Sequence, residues 1–514
     1  MKESVQEETG KQKKRRRKIC LALAVLAVFA ILAIALYIVF RVQFISGGSL
    51  PPEKERVIAV SRLWQAAREH YCYFDEMETG WDAAYEEAVG QVLSAKDRRA
   101  YVRALEEFRA VLRDGHGDGE IFGTGIQNIA ALPFRLDYMG GAYVVTGSID
   151  QKVAPGDILT AIEGEDPTVW LERELGPVVS IETPLARECS LASRFWTYYP
   201  LGRRINCTFE NQLGQTCTVT AASGSYRSGE QKSLTLSSGM EEDVLLEHEA
   251  FRVTRMRDGV IYLQNFSMFD PSYWDVFCEQ VLPLIEDAEG VILDLRSNQG
   301  GISAIGAQML RAVTGKPAPD SSLQQLLSLR LSQDVTYSAL LTGPLSDLFQ
   351  RNMEAGGYDV QGLIKRGQDM ARGRFFVTEE QHAAILELLG EPSFLNGGSD
   401  TGFAVPENGP SLPLIVLIGP HSGSAVDTTA QTAKDMDIPT LGTRTHGADG
   451  DIFTLELGDG ITTSFSSFYI YNQDTETPVN NCGIEADIYL DYALPDLRNG
   501  IDTQLLQAWK LLTS

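Results

Sequence analysis

The chain has 514 residues, which is too long for one hydrophobic core, so about two to four domains are expected. Its hydrophobic content of 44% and charged content of 22% are those of a globular protein. The formal net charge of −25 excludes nucleic acid as a favoured partner, since both would be anionic. Residues 1–18 oppose this charge, because they hold eight Lys or Arg against three Glu.

Residues 19–40 contain no charged side chain. A helix of that length spans roughly 33 Å, enough to cross a bilayer. The run lacks the small-residue cleavage site of a removed signal peptide, so a retained transmembrane helix over 19–42 is predicted. The basic residues precede it and only Arg41 directly follows it. The positive-inside rule therefore predicts a single-pass cell-membrane protein, with 1–18 as a cytoplasmic tail and the rest extracytoplasmic.

Residues 43–125 are predicted to form a linker and a helical module. Apolar residues recur at spacings of three and four, as in Val57, Val60, Leu63 and Trp64, which is typical of an amphipathic helix. The module ends at Asp-Gly-His-Gly-Asp-Gly around His116. This composition predicts a loop.

Residues 126–225 change to short strands with alternating apolar residues. The segment Val-Ala-Pro-Gly-Asp-Ile-Leu-Thr-Ala-Ile-Glu-Gly, from Val153, resembles the signature of a PDZ domain. That resemblance implies binding of extended peptides by strand addition; a small β-barrel without peptide binding is the alternative. Cys207 and Cys217 flank a predicted hairpin and could pair in an oxidising compartment. The cysteines show no zinc-ligand spacing, and no metal or organic cofactor is expected.

Residues 245–514 return to alternating strands and helices. Residues 316–412 interrupt this rhythm and are interpreted as an insertion that forms a lid or flank over the site. An uncharged run, Pro413-Leu-Ile-Val-Leu-Ile, predicts a buried parallel strand. A Gly- and Ser-containing turn follows it, and then a helix from Thr428. Such a turn can expose a nucleophilic hydroxyl, although Ser is also a common turn and N-cap residue.

Three segments together suggest a family. Asp-Leu-Arg-Ser-Asn-Gln-Gly-Gly from Asp294 is followed by Gly-Ser-Ala-Val-Asp from Gly423 and by Gly-Thr-Arg-Thr-His-Gly-Ala-Asp-Gly from Gly442. In this order they resemble the C-terminal-processing and tricorn-like serine peptidases. The resemblance implies an α/β protease core with a mixed, crotonase-like sheet, preceded by a small β-rich PDZ-like domain.

The resemblance also implies site residues. Ser424 takes the place of the nucleophile, with Ser422 as a less favoured alternative. Gly300, Gly301 and Ala425 would supply backbone N–H groups to the oxyanion, where a side chain would block the substrate.

The expected general base differs from that of the better-known branch of the family, which uses a Lys near the position of Ala448 or Asp449. No Lys lies between Lys434 and Lys510. His116 resembles in position the base of the tricorn-like branch, and an imidazole can accept a proton at neutral pH. His446 is an alternative base, as is His421, and Asn480 is a possible orienting residue for the imidazole.

These expectations describe a membrane-anchored serine endopeptidase that needs no metal. It would cleave unstructured or C-terminal protein segments by a Ser–His mechanism, with protein or peptide substrates bound through the PDZ-like domain. The alternative is an inactive family member that acts as a PDZ-type peptide-binding or scaffold protein.

Overall fold

The computed structural model describes residues 49–74, 77, 80–116, 130–197, 199–224, 232–317, 323–326, 403, 405, 409–450, 452–467, 469–472 and 477–514. The predicted tail, the predicted transmembrane helix and most of the predicted 316–412 insertion lie outside these residues. Among the residues that are described, none of the helices combines the length and the apolar character needed to cross a membrane.

Three helices form the N-terminal module, as the apolar spacing predicts. They are α1 (Glu53–His70), α2 (Trp81–Ser94) and α3 (Arg98–Ala110). Asp97 caps α3 by accepting the Ala100 N–H at 2.9 Å, which satisfies one of the unpaired donors at a helix start. The core of the module is completed from far along the chain by Leu457, Ile461 and Phe465.

The second unit is a small antiparallel sheet covered by two helices. Its elements are β1 (Phe134–Met139), β2 (Ala142–Ser148), β3 (Ile158–Ile162), α4 (Pro167–Leu175), α5 (Pro184–Thr197), β4 (Arg204–Glu210), β5 (Thr216–Ala222) and β6 (Lys232–Ser233). The strands lie in the order β1-β2-β3-β4-β5, and β6 pairs with β2. Asp166 caps α4 directly before Pro167, a favoured helix start.

The possible pairing of Cys207 with Cys217 does not occur in this structure, where both thiols are free. The register of the hairpin explains this, because Cys207 faces Val219 and Cys217 faces Phe209. The two cysteines are therefore diagonal neighbours rather than directly opposed.

The third unit is a mixed seven-stranded sheet. Its strands are β7 (Asp243–Glu247), β8 (Phe251–Arg255), β9 (Val260–Asn265), β10 (Gly290–Asp294), β12 (Leu414–Ile418), β13 (Thr440–Gly442) and β18 (Ile488–Tyr489). They lie in the order β18-β13-β12-β10-β9-β8-β7. The pairings from β9 to β18 are parallel and those among β7, β8 and β9 are antiparallel. The predicted mixed sheet is thus confirmed.

Helices cover this sheet, and short strands surround it. The helices are α6 (Ser272–Val276), α7 (Leu282–Ile285), α8 (Ser303–Thr314), α9 (Ala425–Asp435), α10 (Leu494–Arg498) and α11 (Thr503–Leu512). The remaining strands are β11 (Leu323–Leu326), β14 (Ile452–Gly458), β15 (Ile461–Ser466), β16 (Tyr469–Asn472) and β17 (Thr477–Pro478). Strands β14 and β15 form the hairpin that packs on the N-terminal module.

The topology of the mixed sheet positions the site. β10 and β12 are adjacent and parallel, with Asp294 opposite Leu417. The loops that follow them, 295–302 and 419–424, therefore meet at the same edge of the sheet.

Candidate active site

Ser424 lies at the turn between β12 and α9. Its backbone has φ +54° and ψ −122°, a conformation that costs energy for any residue with a side chain. Ser424 is half-buried. Ser422, the alternative nucleophile, is fully buried; it donates a hydrogen bond to the Leu295 carbonyl at 2.9 Å and accepts one from the Gly419 N–H at 3.0 Å. Ser422 therefore shapes the turn, and Ser424 is the available hydroxyl.

Gly300 and Gly301 lie against this turn with φ of +104° and +129°. A Cβ at Gly300 would be 2.7 Å from the Ser424 Cβ, and one at Gly301 would be 2.2 Å from the backbone of Met268. Both contacts are closer than packed atoms allow, so a side chain is excluded at either position.

The backbone N–H groups of the three predicted oxyanion residues differ in their hydrogen bonding. Gly300 N–H donates to the Asn298 side chain at 2.8 Å. Within the described ranges, the N–H groups of Gly301 and Ala425 have no hydrogen-bond acceptor. Ala425 is also the first residue of α9, where N–H groups point outward and favour an anion. Gly301 and Ala425 are thus the two donors open to a ligand.

The sequence did not reveal Asn298 as a positioning residue, although it lies inside the Asp-Leu-Arg-Ser-Asn motif. Its side-chain oxygen accepts the Gly300 N–H, and its backbone carbonyl accepts the Gly423 N–H at 3.3 Å. Its side-chain N–H group donates to the Asn265 side chain at 2.5 Å. It is fully buried. Asn298 therefore ties the glycine turn to the serine turn.

His116 lies at the end of the N-terminal module. Burial, and secondly the neighbouring His446, lower the pKa of His116 to about 3. Its imidazole is therefore neutral near neutral pH. The Nε2 atom is buried and has no hydrogen-bond partner in the described part of the chain.

Two further residues fix the tautomer of His116. Its Nδ1 lies 3.1 Å from the Ser466 Oγ, and the Ser466 hydroxyl donates to the Asp114 carboxylate at 2.7 Å. The same carboxylate accepts the Ser466 N–H at 2.8 Å. Because the Ser466 proton is used on Asp114, Nδ1 must be the protonated nitrogen. Nε2 is left with a lone pair that can accept a proton.

In the described part of the chain, Asn480 makes no hydrogen bond to the His116 ring. Its side-chain oxygen accepts the Gly115 N–H at 3.0 Å instead, so it holds the loop before the histidine. Ser466 and Asp114 occupy the orienting position. Asp114 could have been suspected from its place two residues before His116, whereas nothing in the sequence indicates Ser466.

His446, the alternative base, packs directly on the serine turn. Its N–H donates to the Ser422 carbonyl at 2.8 Å, and its Nδ1 donates to the Pro420 carbonyl at 2.9 Å. The loop that carries it also contacts the His116 loop, since a Cβ at Gly115 would lie 2.5 Å from the Gly447 carbonyl oxygen. The structure therefore brings His116, His446 and the serine turn into one cluster.

Two buried acids hold the His446 loop against α9. Asp427 accepts the Gly447 N–H at 3.1 Å, the Ala448 N–H at 3.2 Å and the Thr445 hydroxyl. Asp449 accepts the Thr428 hydroxyl at 2.7 Å. Burial and then the charge of Asp449 raise the pKa of Asp427 to about 8, and burial raises that of Asp449 to about 6. The pair therefore retains a proton near neutral pH.

His421 lies apart from the imidazole pair. Its Nε2 is 2.9 Å from the carboxylate of Asp137 on β1, so it links the small sheet to the serine turn.

A half-buried serine at a strained strand-to-helix turn, two open amide donors and a neutral imidazole in the same cluster are typical of serine hydrolases. Comparison with known proteins agrees with this class. Residues 257–490, slightly less than half of the chain, match the model of peptidase family S41. This match supports a serine-type peptidase domain over those residues.

Solved structures of CPAF share the fold. A complex of mature CPAF with lactacystin has a TM-score of 0.64 at 18% identity, covering 90% of this chain and 98% of that one. The structure of mature CPAF alone has a TM-score of 0.63 at 17% identity, with the same coverage of both chains. A Chlamydia trachomatis (serovar D) protein is 24% identical over 255 residues, which is 46% of this chain and 40% of the relative. The match thus spans less than half of either protein.

Proposed function

We propose that the chain is a membrane-anchored, extracytoplasmic serine endopeptidase in which Ser424 is the nucleophile and His116 the general base. One observation carries this proposal. The Ser466 hydroxyl, which donates to Asp114, accepts a hydrogen bond from the Nδ1–H of His116, and the buried Nε2 then carries the lone pair and has no partner among the described residues. A neutral imidazole with its lone pair on a nitrogen that makes no other hydrogen bond is the form that a general base requires.

The chemistry follows from these groups. The Ser424 oxygen attacks the peptide carbonyl while its proton passes to the Nε2 of His116. The Asp114 charge, acting through Ser466, stabilises the imidazolium that forms. The N–H groups of Gly301 and Ala425 stabilise the oxyanion. His116 then returns the proton to the leaving amine, and water releases the acyl group by the reverse route.

Substrates on this proposal are unstructured or C-terminal protein segments. The small antiparallel sheet of residues 134–233, with α5 beside its edge strand β1, supports a PDZ-like role in holding an extended peptide. Helices flanking the mixed core sheet support the crotonase-like description of the core. The uncharged run at 19–40 supports the anchor and the outward-facing localisation.

A second candidate function is a catalytically inactive, PDZ-type peptide-binding or scaffold protein. The observation that favours it is the missing Lys between Lys434 and Lys510. His446 is the second candidate base, but its Nδ1 donates to a backbone carbonyl, which stabilises an imidazolium less than a carboxylate does.

The test is labelling by a fluorophosphonate probe, with the labelled residue identified by peptide mass spectrometry. We expect label on Ser424, no label in Ser424→Ala or His116→Ala, and normal labelling in the control His248→Ala. Loss in His446→Ala with retention in His116→Ala would assign the base to His446. A folded wild-type protein that does not label, yet binds extended peptides, would establish the scaffold alternative.

A further inference from the structure

We propose that Asp137, Cys189 and His421 form a Zn²⁺-binding site at the junction between the small sheet and the serine turn. The three residues come from β1, from α5 and from the loop after β12. One ligand atom of each lies within 4.8 Å of the ligand atoms of the other two. Because the residues are far apart in sequence, no ligand spacing could reveal them.

The contacts inside the cluster already resemble a ligand shell. His421 Nε2 lies 2.9 and 3.0 Å from the two carboxylate oxygens of Asp137. Ligand atoms bonded at about 2.0–2.3 Å around tetrahedral Zn²⁺ lie roughly 3–4 Å apart. A metal ion can therefore enter with small side-chain movements.

The three side chains differ in burial, so the proposed site has a buried side and a solvent-exposed side. The Cys189 residue is 3% exposed, and its thiol faces the cluster from within the sheet domain. The side chains of His421 and Asp137 are 40% and 24% exposed. Solvent thus reaches the outer side, where water completes a four-coordinate shell.

The donor set selects the metal. A thiolate, an imidazole and a carboxylate suit Zn²⁺, whereas Mg²⁺ and Ca²⁺ prefer oxygen ligands alone. Binding displaces the protons held by the thiol and by the His421–Asp137 pair, so Zn²⁺ uptake releases protons. An ion held this way cross-links β1 and α5 to the loop that carries Ser424, and it stabilises the folded chain by mass action.

The test uses the full chain in detergent, stripped of metal and kept reduced. Co²⁺ replaces Zn²⁺ because thiolate-to-cobalt charge transfer reports directly on a Cys ligand. We expect one tight equivalent of Co²⁺ with this absorption, displaced by Zn²⁺ but not by Mg²⁺, and a Zn²⁺-dependent rise in the unfolding temperature. Cys189→Ala should lose the band, and Cys189→Ala and His421→Gln should weaken Zn²⁺ binding at least about 100-fold.

Cys207→Ala is the matched control, since it removes another buried cysteine from the same sheet domain. A band absent from the wild type, retained in Cys189→Ala, or lost equally in Cys207→Ala would overturn the proposal. Circular dichroism in chelator establishes that the variants are folded. Binding is measured in Ser424→Ala as well, so the outcome does not depend on the peptidase proposal.

Discussion

Asp114 supplies the charge in the proposed Ser466–Asp114 relay, because Ser466 and the His116 ring are neutral. Asp114→Asn keeps a hydrogen-bond acceptor for Ser466 but removes the charge that stabilises the His116 imidazolium. We expect fluorophosphonate labelling of Ser424 to slow about 100-fold, less than for a carboxylate in direct contact with a catalytic histidine.

The rate of labelling and the unfolding temperature are both measured for the wild type and for Asp114→Asn. Asp275→Asn, an exposed change on α6, is the control and should label at the wild-type rate. A folded Asp114→Asn protein that labels as fast as the wild type would remove the relay from the mechanism.

The sequence predicted the residues that lie inside motifs and missed those that reach the site through folding. Ser424 and Gly301 follow from short motifs with turn chemistry. Ser466 contacts His116 across 350 residues, and a lone serine on a strand carries no local signal. Asn480 was predicted to orient the histidine because it precedes a glycine motif, whereas its amide binds the neighbouring backbone.

At the scale of elements, the glycine turn after β10 must fit against the serine turn after β12. A methyl group at Gly300 would meet the Ser424 Cβ at 2.7 Å, the Gly423 carbonyl at 2.7 Å and the Ala425 nitrogen at 2.8 Å. We expect Gly300→Ala to reduce Ser424 labelling at least about 100-fold, since a displacement near 1 Å is enough for such a loss.

Gly90→Ala is the matched control, because it lies within α2 with open space around it. That substitution should stabilise the protein by about 0.5–1 kcal/mol and leave labelling unchanged. Equal labelling of both alanine variants would show that the two turns do not need this close fit.

The Asp427–Asp449 pair makes stability depend on pH in a predictable direction. Both folded-state pKa values, about 8 and about 6, lie above the ordinary 3.8. The folded state therefore binds more protons than the unfolded state, and the free energy of unfolding falls as pH rises from about 4 to 8. His116, with a folded pKa of about 3, acts in the opposite direction but only below pH 6.5.

Between pH 6.5 and 8 the acid pair therefore acts without opposition from His116. Burial is the larger cause of the raised pKa of Asp427, and the Asp449 charge is the second. Asp449→Asn removes this second cause, so the decline of the unfolding free energy over this interval should become shallower. Denaturant unfolding at several pH values measures it, with the exposed Asp243→Asn as the control. An unchanged slope would mean that the two carboxyl groups do not share a proton.

Elements with continuous apolar runs were predicted well from the sequence, because burial alone selects them. Strand β12 is an example, and the mixed sheet follows from such strands alternating with helices. The helix after Ser424 begins three residues earlier than the predicted Thr428, since the strained backbone of Ser424 itself starts it. No pattern in the sequence predicts that β14 and β15 pack on the N-terminal module.

At the scale of the whole molecule, the Asp-Leu-Arg segment that begins at Asp294 has a structural role. Arg296 lies just beyond β10 and binds Asp294 at 2.7 Å and Asp502 at 2.8 Å. Asp502 in turn caps α11 through the N–H groups of Gln504 and Leu505. Burial would raise the pKa of Asp294, but the Arg296 guanidinium lowers it below the ordinary value. Arg296 thus fastens the C-terminal helix to the central strand.

Arg296→Met should therefore destabilise the whole fold, because it leaves two buried carboxylates without their cation. The expected loss is about 3–5 kcal/mol in the free energy of unfolding. Arg252→Met, which breaks an exposed pair with Glu247, should cost less than about 1 kcal/mol. Denaturant unfolding followed by circular dichroism measures both. If the two variants lost equal stability, the buried network would contribute no more than a surface ion pair, and the C-terminal helix would have to be held by its apolar contacts alone.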